Sequence, residues 1–194
     1  MKRRRIGIFG GSFNPVHNGH ISLSKAIVAS GKVEEVWLTL SPLNPFKRSK
    51  RLADDADRLS MLRRAVNGIS GLDVCDIELS LPRPSYTINT LTRLSELHPD
   101  CSFCLIVGAD NYAVFDKWFE HQRIIDDYGL IVYPRDGYDI TVNEKNVTLV
   151  DAPLFNVSST QIRQLIAEGS DISGLVPEPV AKYISEHKLY KNGR

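Results

Sequence analysis

A chain of 194 residues, 42% of them hydrophobic and 24% charged, suits one globular domain with a substantial core and excludes disorder on a large scale. The formal net charge of +1 removes any global field for nucleic acid or a membrane surface, leaving only the basic start Lys2-Arg3-Arg4-Arg5, which reads as a solvated terminus. That start runs into a strand without the long apolar stretch of a signal peptide, and no apolar run approaches membrane-spanning length, so a cytoplasmic setting is expected.

Ile6, Ile8 and Phe9 make a short apolar run that suits a buried strand, and Gly10-Gly11 ends it in a turn where backbone can approach a ligand closely. Ser12-Phe13-Asn14 follows, Pro15 stiffens the exit, and the periodic run from Gly19-His20 through Leu23, Ile27 and Val28 predicts an amphipathic helix. His17 and His20 then stand at its mouth. A helix start exposes unpaired N–H groups and a partial positive charge, so anions collect there, and two imidazoles three residues apart can face the same way. Strand, glycines, proline and both histidines in that order predict a polyphosphate site, the imidazoles donating to phosphate oxygens. A His-x-x-His pair could also be half of a zinc site, but no Cys or third His lies nearby in sequence.

Val33 to Leu40 predicts a second strand, and the basic segment Leu43 to Arg51 leaves its carboxyl end beside the phosphate turn, where open α/β sheets bind ligands. Asp54-Asp55 opens a helix through Leu59, Leu62 and Val66, its carboxylates at the favourable end of the dipole, and Gly68 and Gly71 end it. Leu72 to Leu79 predicts the third strand. Beyond Pro82 and Pro84, a helix carries Ile88, Leu91, Leu94 and Leu97 on one face, with Ser85 or Thr87 as its cap. Cys104 to Val107 predicts the fourth strand, and Asp110 past its end could accept from ribose hydroxyls or serve as an ordinary cap.

Cys101-Ser-Phe-Cys104 invites a redox reading, but positions three apart on a strand face opposite sides, so these two and Cys75 are expected as buried or half-buried reduced thiols. Trp118 in its polar context reads as a half-buried anchor. Tyr128 to Tyr133 and Val147 to Val150 predict strands five and six, with a polar surface loop at Asp139 to Asn146. Ser158, Ser159 or Thr160 caps a helix through Leu165 and Ile166, and Arg163 in its first turn would stand over a second anion site. Residues 176–190 predict a C-terminal packing helix. Strands alternating with helices imply an α/β fold, a Rossmann-like doubly wound parallel sheet in a single domain over 1–194.

The string from Gly10 to His20 resembles the nucleotidyltransferase signature, whose core is His-x-Gly-His at a helix start, and within that superfamily the chain is similar to bacterial-type nicotinate-nucleotide adenylyltransferases. The resemblance continues through Lys47, which matches a family lysine although Phe46 stands where histidine is usual, and through Ser85-Tyr86-Thr87, Gly108-Ala109-Asp110, Trp118 and Arg135. It includes Val157-Ser158-Ser159-Thr160-Gln161-Ile162-Arg163 and the tail, and so spans nearly the whole chain.

It implies adenylyl transfer from ATP to nicotinate mononucleotide, giving nicotinate adenine dinucleotide and pyrophosphate, a step of NAD biosynthesis. His17, His20, Lys47 and Arg163 are then the implied catalytic residues. Gly10, Gly11, Ser12, Phe13, Gly108, Asp110, Ser158, Ser159 and Thr160 would bind ATP, and Asn14, Tyr86, Thr87, Trp118 and Arg135 the acceptor. Mg²⁺ is expected on the ATP phosphates, with no metal ligands from the chain, no nucleic-acid or membrane partner, and a homo-oligomer left open. Other readings share the phosphate loop: transfer to nicotinamide mononucleotide or phosphopantetheine, or a nucleotide-binding sensor without catalysis.

Overall fold

The computed structural model describes residues 3–42, 52–142, 144–153 and 157–191. Six strands form one wholly parallel sheet: β1 (Arg4–Gly11), β2 (Glu35–Leu40), β3 (Leu72–Cys75), β4 (Cys101–Gly108), β5 (Leu130–Tyr133) and β6 (Val147–Leu149), in the order β3-β2-β1-β4-β5-β6. The central strands are apolar on both faces, as parallel strands covered by helices on both sides must be. In β1, Ile6 and Ile8 pack on one face and Phe9 on the other.

Seven helices complete the described fold. α1 (Asn18–Ala29), α2 (Asp55–Val66), α6 (Ser159–Ala167) and α7 (Glu178–Glu186) supply Ile27, Leu62, Ile162 and Val180 to the core on one face. α3 (Thr87–Leu97) and α5 (His121–Asp127) supply Leu91 and Ile124 to the other, and α4 (Ala109–Tyr112) is a single turn after β4. The order reverses between β1 and β4, which opens a crevice at their carboxyl ends.

The expected doubly wound sheet is present, with local differences. The third strand stops at Cys75, because its ladder with β2 runs only from Val36 to Thr39, and Ile77–Leu79 instead forms a 3-10 turn. Leu97 closes α3 but is 49% exposed, unlike Ile88, Leu91 and Leu94. The fifth strand starts at Leu130. Gly129 turns into it at φ +78°, where a Cβ would lie 2.8 Å from the Asn146 carbonyl oxygen. α5 had no counterpart in the sequence reading, and the final helix covers Glu178–Glu186 rather than 176–190. Cys101 and Cys104 belong to the cores on opposite faces, and all three cysteines are buried and free.

Candidate active site

β1 delivers its glycines to the crevice, and the chain then turns sharply into α1. Phe13 makes that turn at φ +43°, a left-handed conformation that a bulky residue adopts only when its surroundings enforce it. Its buried ring supplies the enforcement: it packs edge-on against His20 at 5.0 Å and Phe9 at 5.8 Å, and a Cβ on Gly11 would press on it at 3.1 Å. Arg58 of α2 holds the same loop from another side. Fully buried, it donates to the carbonyls of Ser12, Ser41 and Ala53 and pairs with Asp55. Asn14 is also buried, its Oδ1 accepting from the Ala53 N–H at 3.0 Å and the Tyr190 hydroxyl at 2.8 Å.

His17 precedes the first turn of α1 in extended conformation, and its backbone N–H donates to His20 Nδ1 at 3.2 Å. That bond fixes a tautomer: a neutral His20 carries its proton on Nε2, which is left as a donor. The two rings stack, centroids 3.6 Å apart. Burial pushes the His17 pKa down to about 4, helped by the positive charge of Arg135. His20 is also held well below its ordinary value, by burial first, then by His17 and Arg135. Both imidazoles are therefore neutral at neutral pH.

They face a cavity of about 420 Å³ at the sheet's reversal point, whose walls include Asp110, Tyr133, Arg135, Ser158 and Ser159. Arg135 Nε lies 3.7 Å from Asp110 Oδ1, and its Nη2 donates to the Tyr133 hydroxyl at 3.3 Å. Gly108 makes this arrangement possible, since a Cβ there would fall 2.4 Å from Asp110 Oδ1 and 3.1 Å from Arg135 Nε. His17 Nδ1 and Asp110 Oδ1 are buried without a hydrogen bond among the described residues, polar atoms of the kind a ligand satisfies.

Across the cavity, α6 presents its first turn. Ser158 is the cap, accepting from the Gln161 N–H, while Ser159 donates to the Pro15 carbonyl at 2.8 Å and ties α6 to the loop between β1 and α1. Arg163 donates to the Asn14 carbonyl at 2.7 Å and to Thr160 Oγ1 at 3.1 Å.

Of the residues expected at the site, His17, His20, Asp110, Arg135, Ser158 and Ser159 share the cavity wall. Gly10 and Gly11 are not in a turn but are the last residues of β1, paired in register with Thr39 and Leu40, and the turn begins after them. Ser12, Phe13, Asn14, Gly108, Thr160 and Arg163 belong to the turns and helix starts around the cavity. Tyr86 and Thr87 stand apart at the start of α3, where half-exposed Tyr86 packs on Phe119 at 4.6 Å, and Trp118 lies against Phe115 at 5.0 Å. Lys47 and Phe46 lie outside the described residues.

Three further residues emerge only in the fold: Arg58, Tyr190 and Phe119. Arg58 left a trace in the sequence, a charge on the face of α2 that also carries Met61, Leu62 and Ala65. Tyr190 and Phe119 left none. Among the described residues no group of three His, Cys, Asp or Glu could hold a metal ion, and no helix is long and apolar enough to cross a membrane.

Residues 8–165 match the family model described as cytidylyltransferase-like. Proteins named probable nicotinate-nucleotide adenylyltransferase are 42% identical to this chain in both Bacteroides fragilis and Cytophaga hutchinsonii. The first match covers 95% of this chain and 92% of the relative, the second 97% and 99%. A solved structure of the Plasmodium falciparum nicotinic acid mononucleotide adenylyltransferase, complexed with NaAD, shares the fold with TM-score 0.77 at 21% identity, covering 96% of this chain and 97% of that one. With the family model matching residues 8–165 and 42% identity to these relatives over nearly the whole chain, the chain belongs to the cytidylyltransferase-like family and, within it, to the nicotinate-nucleotide adenylyltransferases.

Proposed function

We propose that the cavity at the reversal point carries out adenylyl transfer from MgATP to nicotinate mononucleotide, releasing pyrophosphate and forming nicotinate adenine dinucleotide, a step of NAD biosynthesis. The 5′-phosphate of the acceptor attacks the α-phosphorus of ATP, and the bond to the β-phosphate oxygen breaks. The nucleophile is already an anion, so no side chain need remove a proton. Alignment and stabilisation of charge on the transferred group supply the catalysis.

The observation that carries this reading is the pair of stacked, neutral imidazoles at the start of α1, facing the start of α6 across the cavity. His20 Nε2–H is the donor to the α-phosphate, with His17 beside it. Neutral imidazoles donate to phosphate oxygens without a proton having to move in the transfer step. The N–H groups of the first turn of α6, with Arg163, hold the departing pyrophosphate.

Asp110 accepts from the ATP ribose, and Gly10, Gly11, Ser12, Phe13, Gly108 and Thr160 shape the nucleotide side. Lys47 neutralises the incoming phosphate, while Tyr86, Thr87 and Trp118 read the pyridine ring and its carboxylate. Asn14 and Arg135 belong to the acceptor side. Mg²⁺ enters with ATP, on the phosphates of the nucleotide substrate.

The test is pyrophosphate release from MgATP with nicotinate mononucleotide, nicotinamide mononucleotide and phosphopantetheine supplied separately at equal concentration. Strong preference for nicotinate mononucleotide is expected. Preference for another acceptor would overturn the pyridine pocket and keep the phosphate machinery, and ATP binding without any release would establish a sensor.

A further inference from the structure

Tyr190 lies after α7 and does not line the cavity, yet it reaches the phosphate loop. Its hydroxyl donates to Asn14 Oδ1 at 2.8 Å, a buried bond between residues 176 positions apart. The chain arrives there through two left-handed turns, at Lys188 (φ +52°) and at Tyr190 itself (φ +64°). Neither residue is glycine, so both conformations cost energy that the contacts made by the tail must offset. Burial raises the phenol well above its ordinary pKa, which keeps the hydroxyl a donor.

Asn14 is a junction. Its Oδ1 also accepts from the N–H of Ala53, and its carbonyl accepts from Arg163 Nη1 at 2.7 Å. Arg163 in turn bonds Thr160, in the first turn of α6. One asparagine thus joins the loop before α1, the approach to α2, the arginine of α6 and the tail.

We infer that Tyr190 is a positioning residue: by fixing Asn14 it sets the guanidinium of Arg163, and so tunes the anion site at the start of α6 without touching substrate. The Tyr190 ring packs in the core whether or not it carries oxygen, and the hydroxyl adds direction. As a statement about the reaction this rests on the proposed function. As a statement about the anion site it does not.

The experiment therefore reads both, comparing wild type, Tyr190→Phe, Arg163→Gln and the double variant. Inorganic tripolyphosphate binding is measured by calorimetry, and KM and kcat are measured with MgATP and nicotinate mononucleotide. Tyr190→Phe should keep its thermal midpoint within a few degrees, because Asn14 Oδ1 still accepts from Ala53. Its tripolyphosphate Kd should rise about tenfold, with KM for MgATP following and KM for nicotinate mononucleotide unchanged.

In the Arg163→Gln background the hydroxyl should no longer matter, a coupling that a merely structural role would not give. Wild-type binding by Tyr190→Phe, an equal loss in the Arg163→Gln background, parallel rises in both KM values, or a Tyr190→Phe protein that does not fold would each overturn the inference. A wild-type protein that binds tripolyphosphate but releases no pyrophosphate would overturn the proposed function alone.

Discussion

Two neutral histidines at the mouth of α1 set the chemistry available to the cavity. His20 is aligned by the His17 N–H on one nitrogen, by the stacked His17 ring and by the edge-on contact with Phe13. His20→Ala is accordingly expected to lower kcat by about 10²–10³-fold, the loss typical of one well-placed donor to a charged transition state. Its melting midpoint should stay close to wild type, and a variant with normal turnover would remove His20 from the mechanism.

The same burial has a pH signature. In the unfolded chain His17 takes a proton below about pH 6.5, whereas in the fold it resists until about pH 4, so the unfolded state binds more protons across that window. Stability is therefore fully present above about pH 6.5 and falls with pH toward 4, by up to about 3 kcal/mol from His17, with His20 acting in the same direction. His17→Asn, which keeps a good helix-capping residue, should flatten part of that slope in denaturation curves recorded from pH 7.5 to 5. An unchanged slope would show that His17 titrates normally in the fold.

At the scale of elements, α6 depends on one hydroxyl for its N-terminal cap. Ser158 caps its N-terminus, and Ser158→Ala should cost about 1 kcal/mol in chemical denaturation. If α6 also binds pyrophosphate, product affinity should weaken in the same variant. The sequence named three possible caps, and only the fold separates them, because Ser159 is turned to the Pro15 carbonyl and Thr160 accepts from Arg163.

Strand positions were legible from uninterrupted apolar runs, since burial on both faces leaves no polar alternation to confuse them. The limit of β3 was not legible, because apolar residues continue past Cys75 at Ile77 and Leu79, which fold as a 3-10 turn although β2 runs on to Leu40. Nor was α5, seven residues long and contributing only Ile124 and Ile125 to the buried core. That His17 and His20 meet at the start of α1 could be read because they are three residues apart in sequence. The contacts of Arg58 and Tyr190 could not, because each joins segments far apart in the chain.

For the whole molecule, the two cores on either side of the sheet shut away all three thiols. Burial raises each of their pKa values, so none is a ready thiolate. A thiol-specific reagent should find essentially no reactive cysteine in the native protein and all three after denaturation. Rapid native labelling would reopen the redox reading of Cys101 and Cys104.

The strand order also bears on how the molecule is made. β1 is near the start of the chain yet central in the sheet, flanked by β2 and β4. On the ribosome, β2 follows it promptly, but the other flank stays open for the roughly sixty residues between Leu40 and Cys101, several seconds at about 5–20 residues per second. The strand that leads into the loop carrying His17 thus spends that interval as an unprotected edge, able to pair with a neighbouring nascent chain. Slowing translation ahead of β4 would lengthen the exposure, whereas faster delivery of β4 would shorten it.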